Sequence, residues 1–161
     1  VRRGLAIQNG TIRNFTTGID FGFTGIQILV ERMRLIGNSN VGVGVNDIAI
    51  IKDSLFLENG DGINVGSRSV VTGNTSNFNT GSGIGVSVGS TVIGNTANLN
   101  GNNGLVVGNG STIVNNTALA NDNFGLAVTC PSNVLGNTAT LNGTNLLLQG
   151  GGCNVEHNLA P

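Results

Sequence analysis

The sequence predicts an all-β, right-handed, single-stranded parallel β-helix of about seven coils of about 21 residues, with three parallel sheets. Three observations predict it. Asn74, Asn95, Asn116, Asn137 and Asn158 recur at intervals of 21 residues. A second motif keeps step with them: Gly83-Ile-Gly-Val86, Gly104-Leu-Val-Val107 and Gly125-Leu-Ala-Val128. Between these marks the apolar residues come in short alternating pieces, separated by Gly and Asn.

Alternation over three to five residues is the strand signature, and Gly and Asn tolerate the φ > 0 conformations of tight turns. In the coil from Ser90 to Gly110, Val92 is expected inward and Ile93 outward. Gly94-Asn95 forms a turn, Ala97 and Leu99 point in, and Asn100 to Asn103 turn again. Leu105 and Val107 then point in, and Val106 points out. No stretch shows a capped period of 3.6, so no long helix is expected. A repeat in multiples of six would suggest a left-handed triangular helix. Twenty-one is not such a multiple, and the strands are unequally spaced.

The pieces Ser90–Gly108, STVIGNTANLNGNNGLVVG, and Ser132–Gly150, SNVLGNTATLNGTNLLLQG, resemble the parallel β-helix repeats of the pectate-lyase-like superfamily. The resemblance covers nearly the whole chain and is specific for fold. It implies little about activity, because lyases, hydrolases, tailspikes and adhesins share the repeat. It also implies that an Asn at the turn between the second and third strands stacks along the rod. Asp53 is expected at that position one coil before Asn74, and Met33 earlier still.

The expected core is a set of ladders. One holds Val71, Val92, Ile113, Val134 and Val155; another holds Ile63, Ile84, Leu105, Leu126 and Leu146, beside Val65, Val86, Val107, Val128 and Leu148. Each such side chain contributes roughly 1.5–3 kcal/mol on burial, before entropy. Phe78 and Leu99 are expected to fill the third corner. The chain reads as one domain, 1–161, with less regular, charged coils over 1–68 and regular, low-charge coils over 69–161.

Composition narrows function. Charged residues are 9% of the chain and apolar residues 39%, with a net charge of -1. That balance opposes disorder. All seven basic residues lie at or before Arg68. Such a surface neutralises few phosphates, so no nucleic-acid partner is expected. No apolar run approaches a membrane span. Two Cys and one His do not suggest zinc, and neither a metal nor a cofactor is expected. Cys130 and Cys153 lie one coil apart and two positions out of register, an offset Gly150-Gly-Gly152 could absorb. A disulfide here, rather than two separate thiols, would imply an oxidising compartment, and so a secreted or cell-surface protein.

Enzymes of the resembled superfamily usually carry acidic residues, often with Arg or Lys, on the outer face of the first sheet. Its outward positions here are Asp20, Gly44, Asn64, Gly85, Val106, Ala127 and Leu147, and Asp20 is the single acid among them. A carbohydrate-active enzyme or polysaccharide-binding domain would have to use Asp20, Arg32, Arg34 and Asp53. Glu31, Arg32, Arg34, Lys52 and Asp53 read equally as a solvated ion-pair patch. An outward ladder of Thr75, Thr96, Thr117 and Thr138 raises ice binding as a further alternative. Ile51, Thr72, Ile93, Val114 and Leu135 are expected outside on the second sheet. With Val106, Ala127 and Leu147 they would form an apolar contact surface. The leading expectation is therefore a non-catalytic structural or interaction module of a surface protein, adhesin or fibre. It would self-associate end to end or laterally, or pack on other parts of a larger surface protein.

Overall fold

The computed structural model describes residues 2–22 and 25–161. Every strand pairing is parallel, and each strand sits on its equivalent one coil away. The first sheet has seven strands, ordered Thr17–Asp20, Val41–Val45, Asp61–Val65, Ile84–Val86, Leu105–Val107, Phe124–Thr129 and Thr144–Gln149. The second and third faces are joined near the N-terminus. There the strands Arg2–Arg13 and Gly25–Ile36 run unbroken around the corner between them. Later coils break at that corner into three-residue strands, such as Thr91–Ile93 and Thr96–Asn98.

The coil length is less uniform than the Asn spacing suggests. Ladder neighbours are 21 residues apart through most of the chain, but 20 apart between Ser54 and Asn74 and 23 apart between Gln8 and Glu31. The 20-residue coil corrects two expectations. Ile51 pairs with Val71 and is buried in the core, while Lys52 takes the outward place beside Thr72. Ser54, not Asp53, holds the ladder position below Asn74, with Met33 below it as expected.

Each coil turns through three corners, and most corners have a residue with positive φ; before Ser132 the corner residue is Pro131 instead. At successive corners these are Gly94, Leu99 and Gly110, and their counterparts one coil on are Asn115, Ala120 and, one coil further at the first corner, Gly136. The corner residue faces solvent. Phe78 and Leu99 are therefore about half exposed, not inside as alternation suggested. The inward positions of the third sheet are large in the early coils, Leu35 and Phe56, and small from Ser76 on, with Ala97, Ala118 and Ala139.

Polar ladders line the corners on either side of these positions. In the regular coils the residue after the corner position points inward. At the first corner it is Asn74, Asn95, Asn116 and Asn137; at the second Asn79, Asn100 and Asn121; at the third Ser69, Ser90, Ser111 and Ser132, all buried. Asn95 Nδ2 donates to Val71 O at 2.9 Å and to Asn116 Oδ1 at 3.0 Å. Asn100 Nδ2 donates to Asn121 Oδ1 at 2.9 Å. Ser90 Oγ accepts the Ser69 N–H at 3.1 Å. Among the described residues no buried side-chain nitrogen or oxygen lacks a partner.

The second Asn ladder explains the repeated Gly of the Gly-x-x-Val motif. A Cβ on Gly83 would lie 2.7 Å from Asn100 Nδ2 and 2.8 Å from Gly104 O. Only a bare Cα leaves room for the amide column. The apolar ladders expected inside are buried through the middle coils. In the last coil Val155 and Leu148 are partly exposed.

Candidate functional site

The outer face of the first sheet carries a groove. Its outward row is as expected: Asp20 pairs with Gly44, Gly44 with Asn64, and Asn64 with Gly85. Val106, Ala127 and Leu147 continue it. Gly44, between Asp20 and Asn64, leaves a groove of about 420 Å³, lined by Asp20, Asn40, Asn46, Asp61, Asn64 and Ser87 among others. Asp61 thus shares a groove with Asp20, which the outward row alone did not reveal, because Asp61 enters from the corner. The two acids stand two coils apart, roughly 10 Å along the axis before any lateral offset. Paired carboxylates of glycosidases stand about 5–9.5 Å apart.

The acids near this face are already engaged by backbone groups. Asp20 Oδ1 accepts the Gly22 N–H at 2.7 Å. Asp61 Oδ1 accepts the Ser82 N–H at 2.7 Å. Asp47 Oδ1 accepts the Ser67 N–H at 2.7 Å, and its Oδ2 pairs with Arg68 at 3.1 Å. Each closes a donor at a corner where the strand ladder is interrupted.

The other candidate residues lie elsewhere. Arg32, Arg34 and Asp53 line an open depression with Ser54, Gly73 and Thr75, at the corner between the second and third sheets. The four candidates of the enzyme alternative are therefore split between two faces. Arg32 pairs with Glu31 at 3.6 Å rather than with Asp53. Glu31 also contacts Lys52 at 3.2 Å and accepts from Gln8 Nε2 at 2.6 Å. The Lys52 contact, then Gln8 and Arg32, hold its carboxyl below the usual range, against partial desolvation.

Cys130 and Cys153 form a disulfide with Cα atoms 5.0 Å apart. The Asn74 to Asn158 series stacks axially, and Asn158 Oδ1 accepts the Asn137 N–H at 2.8 Å. The Thr75, Thr96, Thr117 and Thr138 ladder is in register on the third sheet, half-buried rather than fully exposed. On the second sheet Thr72, Ile93, Val114 and Leu135 do face outward in one row. Ile51 leaves that surface, and its neighbour Ile50, 43% exposed, is the apolar residue outside. No group of three or more His, Cys, Asp and Glu suited to a metal occurs among the described residues. No helix among them is long and apolar enough to cross a membrane.

Sequence reasoning missed the Asn79, Asn100 and Asn121 ladder. The signal was present: each of these Asn follows a first-ladder Asn by five residues.

A crystal structure of a point mutant of the periplasmic alginate epimerase AlgG superposes with a TM-score of 0.61 over 98% of this chain and 45% of that one, at 16% identity. The fold is a pectate-lyase-like right-handed parallel β-helix. This β-helix spans under half of that chain, and at such identity the likeness speaks for fold alone. No family model and no curated protein matches the sequence.

Proposed function

We propose that this β-helix is a non-catalytic, extracytoplasmic structural and interaction module of a secreted or cell-surface protein. The observation that carries the reading is the scatter of the candidates: Asp20 and Asp61 stand two coils apart, and Arg32, Arg34 and Asp53 line a depression at a different corner. Asp20, Asp47 and Asp61 each accept a backbone N–H. Glu31 is held by Lys52, Gln8 and Arg32. A general acid and base must reach the same reacting centre from working distance. The basic residues of the enzyme alternative sit at a different corner from Asp20. The Cys130–Cys153 disulfide supports an oxidising compartment.

The test is turnover. Purified protein incubated with alginate, polygalacturonate and neutral glucans should give no unsaturated product, no new reducing ends and no epimerised residues by NMR. Turnover abolished by Asp20→Asn or Asp61→Asn would reverse the reading.

A second reading, polysaccharide binding without catalysis, is favoured by the first-sheet groove. Its amide and hydroxyl lining, with Asn40, Asn46, Asn64 and Ser87, suits sugar hydroxyls. Affinity electrophoresis in those polymers tests it: retardation lost in Asn64→Ala supports it, and unretarded migration in all of them removes it.

A further inference from the structure

The outward row of the first sheet changes character along the rod. In the early coils it holds Asp20, Gly44, Asn64 and Gly85; in the later ones it is apolar, with Val106, Ala127 and Leu147. Asp, Gly and Asn are residues that strands avoid. The inward positions of the same early strands keep strong strand formers, Ile19, Val43, Ile63 and Ile84, all buried. A conflict with strand propensity that is confined to one face marks a surface shaped for something besides stability.

The shape agrees. Over Gly44 lies the groove already described, and over Gly85 lies a second depression of about 320 Å³. Both are lined by Asp61, Asn64 and Ser87, and Val106 bounds the second. Together they make a trough along the rod from Asp20 to Val106, four coil steps or roughly 19 Å. The ladder amides are bound within the protein, as between Asn95 and Asn116. Among the described residues the side chains of Asn46, Asn64 and Ser87 have no such partner. Asp20 and Asp61 each use Oδ1 on a backbone N–H, which leaves Oδ2 for a ligand.

We propose that this trough binds a neutral glycan, laid along the rod and recognised through its hydroxyl groups. The inference rests on the second reading above, polysaccharide binding without catalysis, and names the class of polymer. Sugar hydroxyls donate to the Oδ2 atoms of Asp20 and Asp61 and exchange bonds with the amides and the Ser87 hydroxyl. The lining holds two carboxylates and no cation, and at the adjoining corner Arg68 is held by Asp47 at 3.1 Å. A uronate polymer repeats a carboxylate along its length. Each one entering the trough meets like charge and gains no partner. Asn64, shared by both depressions, offers a donor as well as an acceptor. Hydroxyls use both, whereas an ammonium group only donates. The chain has no Trp or Tyr to stack on a sugar ring. The affinity is therefore modest, with a dissociation constant of about 0.1–1 mM.

Saturation-transfer NMR and calorimetry with short oligosaccharides read it. The neutral probes come from laminarin, cellulose, mannan and galactan, the uronates from alginate and polygalacturonate, and the cationic probe from chitosan. At least one neutral probe should bind, with an affinity that changes less than about twofold between about 20 and 300 mM salt. Uronates should bind at least about tenfold more weakly. Asn64→Ala should weaken the neutral ligand about tenfold, and Asn133→Ala, outside the trough, should leave it unchanged. Asp20→Asn with Asp61→Asn removes both charges and keeps an oxygen for the Gly22 and Ser82 N–H groups. It should bring uronates to within about tenfold of the neutral ligand. Circular dichroism confirms that each variant is folded. Should the double variant fail to fold, Asp20→Asn alone carries the test, with a smaller gain.

A uronate or chitosan probe that binds more tightly than every neutral one, and is weakened by Asn64→Ala, overturns the inference and leaves polysaccharide binding standing. Neutral binding that Asn64→Ala does not weaken overturns it too. So does a folded double variant that still rejects uronates, because the acids are then not what excludes them. No binding of any probe at about 5 mM removes the polysaccharide reading and the inference together.

Discussion

Asn95 Oδ1 lies 3.0 Å from the backbone nitrogen of Asn74 and 3.1 Å from its Nδ2, so one side-chain oxygen closes two donors of the preceding coil. The same contact recurs between Asn79 and Asn100, at 3.1 and 2.9 Å. Two amide columns and one hydroxyl column therefore satisfy the corners, where strand pairing alone cannot.

Asn100→Ala should destabilise as much as Asn95→Ala. Each orphans buried donors and acceptors on two coils, at about 1–3 kcal/mol per unsatisfied group. A loss of about 2–4 kcal/mol is expected in urea unfolding, with Thr96→Ala, on the outer face, costing less than about 1 kcal/mol. Equal, small losses for all three would contradict the ladder account.

Ile50 and Ile51 separate inside from outside by one residue. Ile51 is fully buried and Ile50 is outward. Ile51→Asp should abolish folding, since an unpaired carboxylate in the core costs more than about 4 kcal/mol. Ile50→Asp should stay folded within about 1 kcal/mol of wild type. Thermal melts of the two variants check this.

Glu31 should give a pH signature. Its carboxyl is held below the ordinary value of 4.5 by Lys52, Gln8 and Arg32. The unfolded chain therefore binds the proton more tightly than the folded chain. The associated stability is fully present above the unfolded value and fades as pH falls through the folded one. Glu31→Gln should be less stable than wild type at pH 7, and the difference should close below about pH 4.5. A difference independent of pH would show that the ion pair is not its source.

The disulfide should clamp the last coils. Its Cys residues are 23 apart in sequence. Closing a loop of that length stabilises by about 3 kcal/mol on the chain-entropy estimate. Cys130→Ser with Cys153→Ser should lower the melting temperature and admit limited proteolysis after Asn133, while cleavage within residues 41–120 stays unchanged.

How much of this was legible in the sequence depended on which side chain marked each position. The first sheet was read in correct register because Gly83, Gly104 and Gly125 each stand at a contact that admits only Gly. The third sheet was misread where Leu99 and Phe78, apolar yet placed at a positive-φ corner, imitated inward strand residues. Strands of three residues are too short for alternation to overrule them. Ile50-Ile51 is ambiguous by composition, and the single 20-residue coil shifted the choice. Of the candidate site, Asp20 and Asn64 were placed correctly. The backbone partners of Asp47 and Asp61 were not, because those contacts cross coils at the corners, and the Asp20 contact to Gly22 is a local turn outside the repeat.

On the proposed reading Asp61 serves the fold, closing the Ser82 N–H at its corner. Unfolding free energies of Asp61→Asn and Asp61→Ala, measured side by side, test it most directly. Asn keeps an oxygen for the Ser82 N–H and should stay within about 1 kcal/mol of wild type, whereas Ala should lose about 1.5–3 kcal/mol. An Ala variant as stable as wild type would mean that Asp61 is held for something other than its coil.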